Sequence, residues 1–327
     1  MGLETRYGII SDVHKDPLKV AKAIEKLKSV GIDKLILNGD IAENIGTMQG
    51  NMDFFAIVLD AVAKSNLETF IQPGSHESYI PYHSVLEYFK NKNGNIIDTL
   101  NEKIAESKDH DLVFLPGSDW TADGHFTFGN QNIPTGDYII TPQGLININD
   151  VDGKKSNLKD IELLHYENIY DLKKRIKDAG KTIVICHVPR RFSNVNDGID
   201  MAFYAEKSDG SIIPGVVVER ALRENYGYLT QDMMVVLARQ NGLDLKRENR
   251  GNSDLERLYR EIGITKGVSG HFHESAHRAI DSYGKRVEQG IFVDDLFWNS
   301  GHLDEGQIGI LAVRDGKISY FNLNLDL

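Results

Sequence analysis

The chain has 327 residues, 41% hydrophobic and 26% charged, the profile of an ordinary globule long enough to bury a substantial core. Its net charge of -11 disfavours nonspecific attraction to a phosphate backbone, so nucleic acid is not the expected partner, and its single cysteine, Cys186, forbids an internal disulfide. No run approaches the length of a membrane span, and Met1 to Arg6 lacks an apolar signal core and has arginine where a myristoylation site needs Ser or Thr, so a cytoplasmic protein is expected.

Tyr7 to Ser11 reads as an opening strand, stopped by Asp12, Val13 and His14. Asp16 and Pro17 suit the start of a helix with Leu18, Ala21, Ile24 and Leu27 on one face and Gly31 at its end. Lys34 to Asn38 is a second strand that runs into Gly39 and Asp40. A helix from about Met52 to Lys64 follows, and Glu68 to Gln72 is a third strand leading to Gly74, Ser75, His76 and Glu77. This alternation predicts parallel strands with helices laid across them. Further on, His83 to Lys90 is expected to be helical, Leu112 to Leu115 a strand, and Tyr138 to Thr141 with Leu145 to Ile148 a hairpin. Asn157 to Ala179 is expected to be a helix closed by Gly180. The strand Lys181 to Cys186 then delivers His187. Residues from about Arg190 to Thr265, with helices at Val216 to Glu224 and Met233 to Gln240, read as an insertion, which gives a core of 1–189 and 266–327 and a cap of 190–265 lying over the cleft. Lys266 to Ser269 is a strand that ends in Gly270, His271, Phe272 and His273. Four more strands are expected at His277 to Ile280, Gly290 to Phe292, Ile308 to Val313 and Lys317 to Asn322, the last pair joined by the hairpin signal Asp315, Gly316.

Five of these strand ends carry acids or imidazoles, and in α/β proteins ligands gather outside the carboxyl edge of the sheet. In an extended segment, residues two apart point the same way, so Asp12 and His14 can grip one ion, as can His271 and His273. Imidazole and carboxylate ligands without thiolates suit Zn, Mn or Fe. The ligands are too many for one ion, and Asp40, between the clusters, is the natural bridge for two. Such a pair lowers the pKa of a bound water and clamps the attacking and leaving oxygens of phosphoryl transfer. Asp123, Gly124, His125, then Gly136, Asp137, and Ser300, Gly301, His302 repeat these motifs without a well-formed strand before them, and are read as turn residues or solvated side chains.

The ordered series Asp12, Val13, His14; Gly39, Asp40; Gly74, Ser75, His76, Glu77; His187; Gly270, His271, Phe272, His273 resembles the calcineurin-like metallophosphoesterase family, as does Asn299, Ser300, Gly301 before the closing strands. The resemblance implies an α/β fold, a two-sheet β sandwich flanked by helices, with a catalytic dinuclear centre hydrolysing a small phosphomonoester or phosphodiester. It assigns Asp12, His14, Asp40 and His273 to one divalent ion and Asp40, His187, His271 and Ser75 to the other, with His76 as proton donor and Glu77 orienting its ring. Serine stands at 75 where the family has asparagine, and the block Gly39 to Asn44 is read as lacking a second acid. Arg190 and Arg191, close to His187, are read either as meeting the nonreacting part of the substrate or as solvated surface charges. Two other readings stand beside the enzyme: a noncatalytic protein that keeps the fold to bind partners, and a nuclease, which would want a basic track with aromatic platforms.

Overall fold

The computed structural model describes residues 3–121, 123–150 and 162–326. Its first sheet has six strands in the order Lys317–Asn324, Gln307–Arg314, Thr5–Ile10, Lys34–Asn38, Glu68–Gln72, Ile96–Asp98. The run from Thr5–Ile10 to Ile96–Asp98 is parallel, with Ile9 beside Ile36 and Ile36 beside Phe70. The other two strands are antiparallel, joined at Asp315 and Gly316, whose φ angles of 52° and 77° are the positive values that a tight hairpin turn needs. A second six-stranded sheet runs Ala279–Ile280, Leu296–Asn299, Lys266–Ser269, Thr182–Cys186, Asp111–Leu115, Ile104–Glu106, and its inner four strands are parallel.

Alternation along these apolar strands fills both faces of each sheet. Ile9, Ile36 and Phe70 meet Phe114, Ile185 and Trp298 between the sheets. Ile10, Leu35, Leu37 and Ile71 point the other way, under the helices Lys19–Ser29, Met48–Ser65 and Tyr79–Lys92. Behind the second sheet, Val113, Val184, Cys186 and Phe297 pack on Ile169, Leu172 and the helix Ser253–Ile262. The result is the expected layering of helix, sheet, sheet, helix. Burial on both faces explains why these strands read as unbroken apolar runs.

Several elements differ from expectation. The first helix begins at Lys19, after Asp16 Oδ1 accepts a bond from Leu18 N at 3.1 Å, so Leu18 precedes the first turn and the face that packs is Val20, Ala23, Ile24 and Leu27, with Leu18 and Ala21 exposed. Within Asn157 to Ala179, residues 157–161 lie outside the described residues, and the rest begins with a strand, Leu163–Asn168, followed by a helical turn at Leu172–Arg175. That strand sits in a four-stranded outer sheet ordered Phe126–Gly129, Leu163–Asn168, Gly136–Thr141, Gly144–Asn147, where cross-strand pairing with Gly136–Thr141 overrides the helical spacing of its apolar residues. Gly290 to Phe292 is not a strand; the second sheet takes Leu296–Asn299 instead, and only Val293 bridges to Ile318. Within 190–265, the sheet of Ile212–Pro214, Met201–Lys207 and Leu243–Asn249 and the helices Gly215–Tyr226 and Gln231–Gln240 share their own small core of Ala205, Val218, Leu222, Leu229, Met234 and Ala238. The helix Ser253–Ile262 instead joins the main body through Leu255, Leu258 and Tyr259. Among the described residues no helix is long and apolar enough to cross a membrane.

Candidate metal centre

Strands of both sheets deliver the polar residues to one place. Asp12 and His14 follow Thr5–Ile10, Asp40 follows Lys34–Asn38, Ser75 and His76 follow Glu68–Gln72, His187 follows Thr182–Cys186, and His271 and His273 follow Lys266–Ser269. The exits are zipped to one another by main-chain bonds: Asp12 N to Gly39 O at 3.1 Å, Val13 N to Asp40 O at 2.7 Å and Gly270 N to His187 O at 2.9 Å. Asp12, His14, Asp40 and His271 adopt φ angles of 53°, 45°, 50° and 67°. Such left-handed backbone costs of order 1–3 kcal/mol per residue away from glycine and persists only where surrounding structure enforces it, typically at functional sites. The glycines of the motifs have a spatial reason too. At Gly39, φ is 78° and a Cβ would lie 2.6 Å from the His187 ring, while at Gly270 a Cβ would strike Ser11 Oγ and Asp12 Oδ2.

One ligand atom each from Asp12, His14 and His273 lie within 4.8 Å of one another, and so do those of Asp40, His187 and His271, and of His14, Asp40 and His76. Asp40 joins two of these sets. Its Oδ1 accepts from the main-chain N of Ser75 and, at 3.1 Å, of His76, while Oδ2 lies 3.0 Å from His187 Nε2, 3.9 Å from His14 Nε2 and 4.0 Å from His76 Nε2. One carboxylate oxygen is therefore clamped by backbone and the other faces imidazoles. His187 is fully buried, and its Nδ1 donates to Asn38 O at 2.9 Å. That bond fixes the tautomer and leaves Nε2 bare, a buried nitrogen with no hydrogen-bond partner beside a carboxylate oxygen. Once it gives up its proton, a nitrogen set this way can offer its lone pair to a metal. The donors are those of a borderline divalent cation.

The electrostatics agree. Burial alone would raise the carboxyls, but the neighbouring imidazoles, His187 foremost, hold Asp12 and Asp40 well below the usual carboxylate range. In return, against the opposing effect of burial, bonds to Asp12 and Glu43 push His14 up to about 11, and the charges of Asp40 and Asp12 push His187 up to about 9. His271 goes the other way, to about 3, through burial and the adjacent His187. Negative charge here draws protons onto imidazoles, and a divalent cation meets the same demand and releases them.

The structure departs from expectation at several of these residues. Glu77 does not touch the His76 ring. Its carboxylate accepts from Ile41 N at 2.6 Å, Ala42 N at 3.1 Å and Gly74 N at 2.7 Å, stapling two site loops, and burial with the nearby Asp40 charge raises it to about 7. The residue on His76 is Glu43, 2.8 Å from His76 Nδ1 and 3.0 Å from His14 Nδ1, so the block Gly39 to Asn44 does hold a second acid. Ser75 Oγ is engaged as a donor to Asp40, at 3.1 and 2.9 Å from its two oxygens. Arg190 is engaged within the protein. Its guanidinium is buried, stacked 4.2 Å from the Phe192 ring and 4.7 Å from that of Phe297, and bonded to Ser282 O at 3.0 Å. Arg191 is exposed, and its main-chain N bonds Asn252 O at 3.0 Å.

Of the repeated motifs, His125 accepts from Tyr79 N at 3.0 Å at the start of a helix, and Asp137 pairs with His165 at 2.8 Å. His302 is different: its ring stacks on that of His273 at 4.1 Å and 24°, and its Nδ1 is held by Asp304 at 2.8 Å. Its strand, Leu296–Asn299, was not anticipated, and a Ser-Gly-His triplet gives no signal without one.

No family model matches the chain, and no curated protein matches it. Among solved structures, it is similar to TT1561 of Thermus thermophilus, 10% identical over 98% of this chain and 99% of that one with a TM-score of 0.51. A dimetal phosphatase from Danio rerio is 11% identical over 98% of both chains, with a TM-score of 0.46. At such identities the likeness concerns the fold alone.

Proposed function

We propose that this protein is a metal-dependent phosphoesterase that hydrolyses a small phosphomonoester or phosphodiester at the strand-end cluster. The buried Nε2 of His187, set beside Asp40 Oδ2 without a well-formed hydrogen bond, carries the reading, because displacement of its proton leaves a ligand nitrogen already in place. Asp12, His14, Asp40 and His273 would hold one cation and Asp40, His187 and His271 a second, with Mn, Fe or Zn compatible with the donors. Bound there, the cations would supply Lewis-acid polarisation of the phosphoryl oxygens and lower the pKa of a water. The chain's own part is orientation and proton handling. The clamp on Asp40 Oδ1 aims Oδ2 inward, and Glu43 accepts a hydrogen bond from Nδ1 of His76, favouring the protonated ring so that Nε2 of this half-buried imidazolium would give its proton to the leaving oxygen. Of the segment 190–265, residues 201–249 with their own small core would act as a cap on the core of 1–189 and 266–327, which the helix Ser253–Ile262 joins. Its anchoring beside the cluster, through Ser275 Oγ to Met201 O at 2.9 Å, supports this.

The test is elemental analysis of the purified protein, followed by a panel of aryl phosphomonoesters and diesters with Mn added. Turnover that is lost with a chelator and restored by Mn is expected. Absence of turnover in protein shown to carry metal would overturn the assignment and favour a noncatalytic binding role.

A further inference from the structure

The chain has two tryptophans with opposite placements: Trp298 is fully buried between the sheets, whereas Trp120 is 64% exposed. Single exposed apolar residues are common and need no explanation. Trp120 is set apart by where it stands and how its backbone is held. Its ring centroid lies 6.4 Å from that of His271, at 63°, and Phe272, partly buried, abuts the same imidazole at 4.8 Å. The backbone of Trp120 is tied twice by Ser118, whose Oγ donates to Trp120 O at 2.6 Å and accepts from Trp120 N at 3.2 Å. On one side Gly117 N bonds Pro73 O at 2.9 Å, and on the other His125 N bonds Glu77 O at 2.8 Å, so the loop straddles the turn that carries Ser75 and His76. Gly124 lies so close to that turn that a Cβ would strike Ser75 O. From outside, Asn252 Nδ2 holds the Asp119 carboxylate at 2.7 Å. The backbone of Trp120 is held by hydrogen bonds, and the indole is left in solvent beside the ligand cluster.

We propose that Trp120 is a stacking platform that determines specificity, selecting phosphate esters whose alcohol bears a flat aromatic ring, aryl or nucleobase. The inference rests on the phosphoesterase reading above. A ring on the leaving group of an ester whose phosphoryl oxygens sit by His187 and His271 falls against the indole face, and stacking of this kind is tolerant of ring identity.

The experiment compares the parent, Trp120→Ala and Trp120→Phe with phenyl phosphate, adenosine 5′-monophosphate and glycerol 3-phosphate as substrates. Trp120→Ala should lower kcat/KM for the aromatic esters relative to glycerol 3-phosphate by about tenfold, mostly through KM, and Trp120→Phe should retain most of the preference. A loss on phenyl phosphate alone or on the nucleotide alone identifies which ring the platform serves. A second readout needs no turnover. In metal-loaded protein, phenylphosphonate should change tryptophan fluorescence and methylphosphonate should not, and the response should vanish in Trp120→Phe because Trp298 is sealed. An unchanged aromatic preference in Trp120→Ala, or no fluorescence response at phenylphosphonate saturation measured by calorimetry, would overturn the proposal. So would a failure of phenylphosphonate to bind. If phenylphosphonate binds and quenches but no ester is hydrolysed, the platform stands and the enzymatic reading falls.

Discussion

His165 and His187 are both buried imidazoles flanked by carboxylates, yet their neighbourhoods are completed differently. In the outer sheet, His165 has Nδ1 2.8 Å from Asp137 and Nε2 3.5 Å from Glu167, and the fully buried Glu167 is paired with both Lys103 and Arg175. Acids and cations balance within the protein. At the strand ends, the ion-pair partners of Asp12, Asp40 and Glu43 among the described residues are histidines alone, and His187 Nε2 makes no well-formed hydrogen bond. The two clusters draw on the same residue types. What separates a prepared metal site from a structural ion network is whether fixed side-chain cations already neutralise the acids, and where the imidazole lone pairs point.

The contrast is tested most severely at Asp40. Asp40→Asn removes the charge that two cations would share, so retained metal by elemental analysis and turnover should both drop to background while circular dichroism stays that of the parent. Full metal content and activity in that variant would erase the distinction between the clusters. The mirror experiment is Glu167→Gln, which leaves Lys103 and Arg175 facing a neutral amide. It should cost about 3 kcal/mol in denaturant unfolding and leave metal content unchanged. Its pH dependence follows. Burial opposes the shift, but the bond to His165 and the charges of Arg175 and Lys103 hold Glu167 at about 2, below its ordinary 4.5. A depressed carboxyl stabilises the fold above pH 4.5 and loses that contribution as pH falls toward 2, so the gap between parent and variant should close across that window. The mildest of the three is Glu43→Gln. Removing the carboxylate behind His14 and His76 should weaken metal binding by about 10–100-fold in titration calorimetry, with little change in unfolding free energy because the side chain is partly exposed. A Glu43→Gln protein that binds metal as tightly as the parent would leave that carboxylate no part in orienting ligands.

The sequence made the frame of the first sheet legible because its strands are apolar on both faces and end in residues that cannot continue them, as at Asn38, Gly39, Asp40. Elements whose identity depends on a distant partner were hidden. Leu163–Asn168 pairs with strands on both sides, and no local pattern states that. The acids and imidazoles at strand ends were identifiable individually, but direction was not. Glu43 is an ordinary loop carboxylate until the fold sets His14 and His76 on either side of it, and Arg190 looked available until Phe192 and Phe297 closed over it.

The bond from His271 N to Asp12 Oδ2, 3.2 Å long, joins residues 259 positions apart, and the strand that carries Asp12 pairs on one side with Gln307–Arg314. Contacts this remote in sequence are slow to form and are made late. A nascent chain that has reached only the insertion owns Asp12, His14, Asp40 and His187 but has neither His271 nor His273 to close on them. Tight cation capture would therefore follow the docking of the last strands, and a bound ion would act as a latch that favours the finished fold over the unfolded chain.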